Sequence, residues 1–153
     1  MDAVDIKLLK LLQENSNRTI KELASLVNLS PTPVFERIKQ MEKNGYIKKY
    51  TAILSHEKLN KGFVVFCHVR LKHHNLKNRN QFIQIISEIE DITECYNVSG
   101  EFDFMLKIHA QNMEHYKDFI VNILDSEESI GSLHSIFVME EVKQTFSIPL
   151  LNH

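Results

Sequence analysis

The chain has 153 residues and a mass of 17.9 kDa, a length that fits one or two compact domains. Its 18 Lys and Arg against 20 Asp and Glu give a formal net charge of -2, without the basic excess typical of nucleic-acid-binding proteins. No apolar stretch approaches the roughly 20 residues that a spanning helix needs, which excludes a membrane protein. The acidic N-terminus does not match a signal peptide, and Cys67 and Cys95 are predicted to be reduced, so we expect a cytoplasmic protein.

The charges are unevenly distributed along the chain. Residues 1–60 contain ten basic and seven acidic side chains, a net of +3, whereas residues 61–153 contain eight basic and thirteen acidic, a net of −5. The apolar pattern changes near the same point from helical spacing to strand-like alternation. We therefore predict two domains, at 1–54 and 63–153, joined by a hinge at 55–62.

Helix-capping residues define the first two predicted elements. Asp2 is suited to cap an amphipathic helix that the run Asn15–Asn17 ends. Thr19 and Glu22 have the spacing of a capping box, in which each side chain satisfies an amide at the helix start. Asn28 tolerates the left-handed conformation with which a helix ends sharply, so the second helix is short.

A third helix is predicted to begin at Ser30, a favoured N-cap residue, and to end at Asn44-Gly45. Pro31 and Pro33 lack the N–H groups that would lie unsatisfied in its first turn. Its apolar stripe is Val34, Ile38 and Met41. Two helices joined by a turn of about three residues, the second with a polar outer face, are typical of a helix-turn-helix whose recognition helix enters the major groove.

The polar outer face of the third helix is predicted to read bases, with basic residues around it orienting the protein on phosphates. The residues Tyr46–Leu54 are predicted to form a strand, the wing, packed against the helices. The candidate DNA-binding residues are Arg18, Lys21, Ser30, Thr32, Pro33, Glu36, Arg37, Lys39, Gln40, Lys43, Lys48 and Lys49. The alternative is a plain three-helix bundle in which this face and these charges are only solvated.

The second half predicts the order strand, helix, strand, strand, helix, strand. The strands are Phe63–Lys72, Ile92–Ser99, Phe102–Ala110 and Leu133–Ile148, with a turn at Gly100-Glu101. The first helix presents Phe82, Ile85, Ile86 and Ile89 to the core, and the second, capped by Asn112, presents Met113, Tyr116, Ile120, Ile123 and Leu124. This order is that of a ferredoxin-like βαββαβ sandwich in an α+β protein. Helices cover one face of such a sheet, so we expect the other face, with Phe66 and Phe137, to associate with a second copy.

Several motifs together resemble one family. Leu29-Ser30-Pro31-Thr32-Pro33, Phe35-Glu36-Arg37-Ile38, Gly45-Tyr46-Ile47 and Tyr50-Thr51-Ala52 resemble the helix-turn-helix of the Lrp/AsnC transcriptional regulators. The run from Glu94 to Phe104 is similar to that family's ligand-loop signature, and Val138–Lys143 is similar to its final strand. The likeness extends from about Asp5 to Pro149, although the basic arm of some members is missing and Glu101 is Asp in many relatives.

The resemblance implies a winged helix-turn-helix joined to an amino-acid-sensing RAM domain. It implies homodimers formed through the sheet, which assemble into octamers or similar rings on double-stranded DNA, with an amino-acid effector such as leucine held between dimers. The effector-binding positions carried over are Ser99, Gly100, Glu101, Phe102, Asp103, Met113 and Val138. Backbone amides near Gly100 suit a carboxylate, and Asp103 suits an α-ammonium group.

Other interpretations of these residues stay open. Asp103 is alternatively a residue that only satisfies the turn, and Met113 is alternatively core filler. The eight histidines lack the spacing of a metal site, so neither a metal nor another cofactor is predicted. A small enzyme on the ferredoxin-like half is an alternative without a catalytic constellation to support it, and a sensing subunit that has lost DNA binding is another.

Overall fold

The computed structural model describes residues 1–73, 75–126 and 128–150, with the side chains at 124–126 excepted. It divides into two compact units: residues 1–53 together with the segment from Val142 onward, and residues 54–141. The predicted boundaries put that last segment in the second domain instead. Gln13 explains the grouping, since it accepts from the Ile148 N–H at 2.6 Å and donates to the Ile148 carbonyl at 3.2 Å. In the ranges described, every helix is too short or too polar to cross a bilayer.

The first unit contains the three predicted helices, α1 (Ala3–Glu14), α2 (Ile20–Val27) and α3 (Pro31–Lys43). Both predicted starts are confirmed as capping boxes, formed by Asp2 with Asp5 and by Thr19 with Glu22. The Glu22 side chain accepts from the backbone and hydroxyl of Thr19, and these bonds lower the pKa of Glu22. Asn28 has a φ of 57°, which confirms the left-handed end of α2.

The core of this unit lies where the three helices meet. Its fully buried centre is Leu8 of α1, Leu23 of α2 and Val34 of α3. Ile38 and Met41 are also buried, so the predicted stripe of α3 is confirmed. Packing of these side chains fixes which face of α3 is left for solvent.

The predicted start of α3 is confirmed, whereas the strand predicted for Tyr46–Leu54 is wrong. Ser30 occupies the N-cap position of α3, as predicted, although its side chain makes no capping hydrogen bond. With prolines at two of the first three helical positions, few N–H groups remain there for a cap to satisfy. The residues Tyr46–Leu54 do not form a strand. The N–H groups of Tyr46 and Ile47 donate back to the Met41 carbonyl at 3.0 and 3.4 Å, and a strand needs a partner that this segment does not find here.

The second unit confirms the βαββαβ order. Its elements are β1 (Phe63–Leu71), α4 (Leu76–Ser87), β2 (Ile92–Asn97), β3 (Phe104–Ala110), α5 (Met113–Ser126) and β4 (Ile130–Phe137). The sheet has the order β2-β3-β1-β4, and every neighbouring pair is antiparallel. The fold is therefore α+β, with a helix-turn-helix followed by a ferredoxin-like sandwich.

Alternation along β1 separates the two faces of the sheet. Val65, Cys67 and Val69 are completely buried under the helices, where the rings of Phe82 and Phe104 lie 4.7 Å apart. The other face, which we call the open face, carries Phe66, His68 and Arg70 of β1, Met105 and Lys107 of β3, and His134 and Ile136 of β4. Both cysteines are free, as predicted.

The prediction for Phe137 is wrong in both face and strand length. Phe137 pairs with Val65 on the helix-covered face, and its ring lies 5.6 Å from that of Tyr116. The strand ends there instead of at Ile148, because β1 begins at Phe63, only two residues beyond Val65, and so has no partners for the residues near Ile148. The Val138 N–H donates the last bond, to the Val64 carbonyl at 3.1 Å.

Two of the core residues predicted for α5 are not confirmed as buried. Met113 is 51% exposed, because it is the first residue of the helix and lies beyond the sheet, so the prediction that it is buried is wrong. The side chain of Leu124 lies outside the described part of the chain. Tyr116 and Ile123 are buried, as predicted.

Candidate DNA interface and effector site

The outer face of α3 is solvent-exposed. Its exposed polar side chains are Thr32, Glu36, Lys39, Gln40 and Lys43. The Lys39 ammonium lies 2.7 Å from Glu42, and this bond is the largest cause of the lowered pKa of Glu42. Lys43 lies in the last turn of the helix, where a cation also interacts favourably with the helix dipole. The face thus offers hydrogen-bonding groups near its start and positive charge toward its end.

Two arginines predicted to contact DNA make hydrogen bonds and ion pairs within the unit. The Arg37 guanidinium lies 2.7 Å from both Asp2 and Asp5, so it connects α3 to the start of α1. Hydrogen bonds from the Asp5 backbone and Arg37 lower the pKa of Asp2, and the two carboxylates raise that of Arg37. Arg18 donates to the Leu11 carbonyl and to Glu14, which fixes the end of α1.

The remaining candidates surround α3. Lys21, Ser30, Lys48 and Lys49 are exposed, and Pro33 is half-buried. The segment with the two lysines is held to α3 by the Tyr50 hydroxyl, which donates to Glu42 at 2.9 Å. Burial and this carboxylate raise the pKa of Tyr50 to about 12, so the hydroxyl stays a donor at neutral pH.

Sequence reasoning gave no DNA-binding role to Phe35, which is 48% exposed on α3. The Lys39 ammonium lies 5.8 Å from the centre of its ring. The signal was the i, i+4 spacing of an aromatic and a cation on one helix, which places the two side chains side by side.

The predicted effector loop, residues 98–103, joins β2 to β3. The Val98 N–H donates to the Asp103 carbonyl at 3.0 Å, which closes the loop. Gly100 has a φ of +118°, as the predicted turn requires, although the loop is longer than a two-residue turn. The Arg70 guanidinium donates twice to the Glu101 carbonyl, at 2.9 and 2.7 Å, and so ties the loop to β1.

Asp103 connects the loop to the end of β1. Its N–H donates to the Val69 carbonyl at 2.9 Å, and its carboxylate accepts from the Leu71 N–H at 2.8 Å. Asn97 donates to the Asp103 carbonyl at 2.8 Å. Asp103 therefore does satisfy the turn, as one interpretation held, and it also places a carboxylate at this end of the sheet.

Phe102 lies over the open face, where it joins an aromatic cluster. Its ring centre is 5.0 Å from that of His68 and 6.1 Å from that of His134, and the Arg70 guanidinium is 5.6 Å from it. Sequence reasoning missed His68, Arg70 and His134, because only the pairing of β1 with β4 brings them to the loop. The effector loop and the open face are therefore contiguous.

Met113 and Val138 lie at the opposite end of the sheet from the loop. Val138 bonds to Val64 near the start of β1, whereas Asp103 bonds to Leu71 at its end. These seven positions along a strand correspond to about 23 Å. Within one chain, the predicted effector residues therefore form two groups that cannot contact the same small ligand.

A separate cavity of about 460 Å³ lies between α4 and β2. Its lining includes the apolar residues Ile83, Ile86 and Phe104 together with the polar side chains of Arg79 and Asn97 and the thiol of Cys95. Burial raises the pKa of the Cys95 thiol, so it is neutral at physiological pH. No predicted effector residue lines this cavity. Across the described residues, no group of three or more His, Cys, Asp or Glu side chains is arranged to hold a metal.

Comparisons with known proteins agree with both units. Residues 64–148 match the model of the Lrp/AsnC ligand-binding domain, and residues 1–48 match a winged helix-turn-helix DNA-binding model. The leucine-responsive regulatory protein of Haemophilus influenzae is 37% identical, covering 95% of this chain and 87% of its own length. The DNA-binding transcriptional activator DecR of Escherichia coli is 29% identical, covering 98% of this chain and 99% of its own length.

Solved structures extend the likeness to three dimensions. A transcriptional regulator of Neisseria meningitidis in complex with L-Met has a TM-score of 0.93 at 34% identity, covering 97% of this chain and 96% of its own. An AsnC-family transcriptional regulator of Agrobacterium tumefaciens has a TM-score of 0.92 at 33% identity, covering 97% of each chain.

Proposed function

Because the chain belongs to the Lrp/AsnC family of DNA-binding transcriptional regulators with an amino-acid-binding domain, we propose that α3 reads operator DNA in the major groove. The family consists of regulators, so the alternative of a small enzyme is wrong. The observation that carries the proposal is the exposed polar face of α3, whose opposite stripe is fully committed to the core. A protein with this role acts where the chromosome is, in the cytoplasm.

The residues of this face are suited to different parts of the DNA. Thr32 and Glu36 are short polar side chains near the start of α3, suited to base edges, whereas Lys43, Lys48 and Lys49 are suited to phosphates. Arg18 and Arg37 act indirectly, by holding α1 against α3 and its neighbours. In a dimer, two such helices would enter successive major grooves about 34 Å apart.

A salt titration of operator binding tests this division. Lys43→Ala should lower the slope of log affinity against log salt by about one, because one phosphate contact is lost. Lys117→Ala, which removes an exposed lysine of α5, is the matched control and should leave the slope unchanged. Affinity that does not fall as salt rises, in the wild type, would contradict DNA binding by this chain.

Base reading has its own readout. Thr32→Ala and Glu36→Ala should broaden the sequences selected from a random pool while leaving the salt slope as in the wild type. If both variants select the same sequences as the wild type, the outer face of α3 does not read bases.

We infer that the effector is an aliphatic amino acid, leucine or a similar one, bound between chains. The loop with Gly100 and Asp103 supplies amides and a carboxylate for the polar part, while Met113 and Val138 of another copy supply apolar contacts. This arrangement is supported by the distance of about 23 Å between the two groups within one chain. Residues Ser99, Glu101 and Phe102 complete the loop.

Assembly is the second half of this proposal. The open face carries Phe66 and Ile136 without a covering helix, and a second copy of the same face would bury both. We propose a homodimer through this face, and association of dimers into an octamer or similar ring that brings the two effector groups together.

A thermal-shift screen of the common amino acids, followed by light scattering with and without each hit, tests effector and assembly together. Leucine and methionine are expected to raise the melting temperature, and the scattering mass should exceed that of a dimer. A monomer at all concentrations would contradict the proposed assembly.

Mixed oligomers test whether the site is shared. Asp103→Asn keeps an oxygen for the Leu71 N–H but removes the charge, and with Met113→Glu each variant alone should bind no amino acid in calorimetry. When the two are unfolded and refolded together, about one quarter of the sites should recover, since each site then draws one intact group from each chain. If none of the sites recovers amino-acid binding, the site lies within one chain. Asp118→Asn, at an exposed position of α5, is the control and should bind normally.

A further inference from the structure

Phe35 is an exposed aromatic residue on a helix face that is otherwise polar. Its side chain is 48% exposed, whereas the core contacts of α3 are made by Val34, Ile38 and Met41, each at most 5% exposed. The core therefore does not require an aromatic residue at this position. Packing an exposed phenyl ring against another apolar surface is favourable, because both surfaces are then removed from water.

The ring lies beside the residues proposed to meet DNA. At about 100° per residue, Phe35 is about 60° from Thr32 and 40° from Lys39 around the helix axis. The Lys39 ammonium, 5.8 Å from the ring centre, is anchored by Glu42 at 2.7 Å. The ring thus has a cation on one side and the start of α3 on the other.

We propose that Phe35 reads thymine, by packing its ring against the 5-methyl group in the major groove. This inference rests on the proposed use of α3 as the recognition helix. A phenyl ring cannot donate or accept a conventional hydrogen bond, so it cannot read the polar pattern of base edges. The thymine methyl is the apolar group that the major groove presents, and phenylalanine is one of the side chains that contact it.

Lys39 helps to orient the Phe35 ring toward the bases. A cation beside the ring is attracted to the phosphate backbone that borders the groove, which brings the neighbouring ring toward the bases. Phe35 would therefore add sequence preference at A·T pairs, where Thr32 and Glu36 supply hydrogen bonds.

The test compares thymine with uracil, which lacks only the methyl group. Operator duplexes selected by the wild-type protein are synthesised with thymidine or with deoxyuridine throughout, and the affinities of both are measured. The wild type should bind the uracil duplex about fourfold more weakly for each methyl group it contacts. Phe35→Ala should bind the thymine duplex more weakly and show no preference for thymine over uracil.

Two further variants serve as controls. Phe35→Leu keeps an apolar side chain and should retain part of the preference. Leu26→Ala removes a side chain of similar exposure from α2, 43%, and should discriminate as the wild type does. Unchanged circular dichroism and melting temperature establish that each variant is folded.

The outcomes are distinct. A Phe35→Ala protein that still prefers thymine as strongly as the wild type overturns the proposal, as does a wild type with no preference. A Phe35→Ala protein whose oligomer mass falls while its preference persists also overturns it, and assigns the ring to an interface between copies. Loss of base preference in Thr32→Ala and Glu36→Ala is independent of the methyl readout, so failure of the recognition-helix proposal is seen separately.

Discussion

The helical unit and the sheet unit differ in how much of their functional surface one chain completes. The exposed face of α3 spans about three turns of one helix, so its neighbouring residues are adjacent as soon as the helix forms. The predicted effector residues of the sheet unit are instead divided between the two ends of β1. The proposed DNA-reading surface is therefore local in one chain, whereas the proposed effector site depends on assembly.

Leu23→Ala is expected to have the largest effect, and that effect should be confined to the helical unit. Leu23 is 1% exposed in the core of that unit, and such truncations cost about 2–5 kcal/mol. The variant should lose DNA binding while its sheet unit keeps binding amino acid in calorimetry. Hydrogen exchange read separately for each unit measures the difference.

Leu26→Ala is the matched control, because Leu26 lies on the same helix and is 43% exposed. It should change the free energy of unfolding by about 0.5 kcal/mol or less. If Leu23→Ala also removes amino-acid binding, the two units are not independent and the comparison fails.

Gly100→Ala should have an intermediate effect, confined to the sheet unit. At a φ of +118° a side chain is strained even though an added Cβ would meet nothing within 4 Å, and such strain costs about 1–3 kcal/mol. We expect weaker amino-acid binding with unchanged operator affinity in the absence of effector. Gly45→Ala, at a φ of +77° after α3, should instead weaken operator binding and leave amino-acid binding unchanged. Equal effects of the two variants on both activities would show that the loops are coupled.

The smallest expected effect is a pH dependence of the sheet unit through His109. Burial is the main cause that lowers the pKa of His109 below 6.5, with Lys107 and His56 adding repulsion and Glu94 opposing them. Because the unfolded chain then binds the proton more tightly, stability is full above pH 6.5 and falls as the pH drops through the folded pKa. Melting curves of the sheet unit from pH 7.5 to 5 should show this loss.

His109→Gln should flatten that pH profile, and His73→Gln, which changes an exposed histidine, should not. A profile of His109→Gln identical to the wild type would assign the acid sensitivity to other groups.

Elements with local causes were predictable from the sequence. The cap at Asp2, the capping box at Thr19 and the stripe of α3 depend on residues at most a few turns apart, and all are confirmed. The βαββαβ order was predictable for the same reason, since the apolar residues of each element have the spacing of a helix or of a strand. Strand ends were not predictable in this way. β4 cannot extend to Ile148 because β1 has only two residues beyond its pair with Phe137, and the length of β1 is not visible in the sequence of β4.

The roles of individual charges also depended on tertiary contacts. Arg37 was among the candidate DNA-binding residues, and the packing of α1 brings Asp2 and Asp5 to it. Asp103 looked like a ligand residue or a turn residue, and its contacts with β1 show that it closes the loop. No periodicity encodes these pairs, because their members are about 32 residues apart in the chain.

The net charge of -2 that gave no sign of a nucleic-acid partner is an average over residues 1–60 at +3 and residues 61–153 at −5. By itself the sequence determined that division, the helix-turn-helix and the order of the sandwich, because caps, periods and turns act over short distances. Only the tertiary structure decided which cations are held inside the helical unit, which face of the sheet carries Phe137, and that the predicted effector residues lie at opposite ends of one strand. Those outcomes depend on strand register and helix packing, which join residues far apart in the chain.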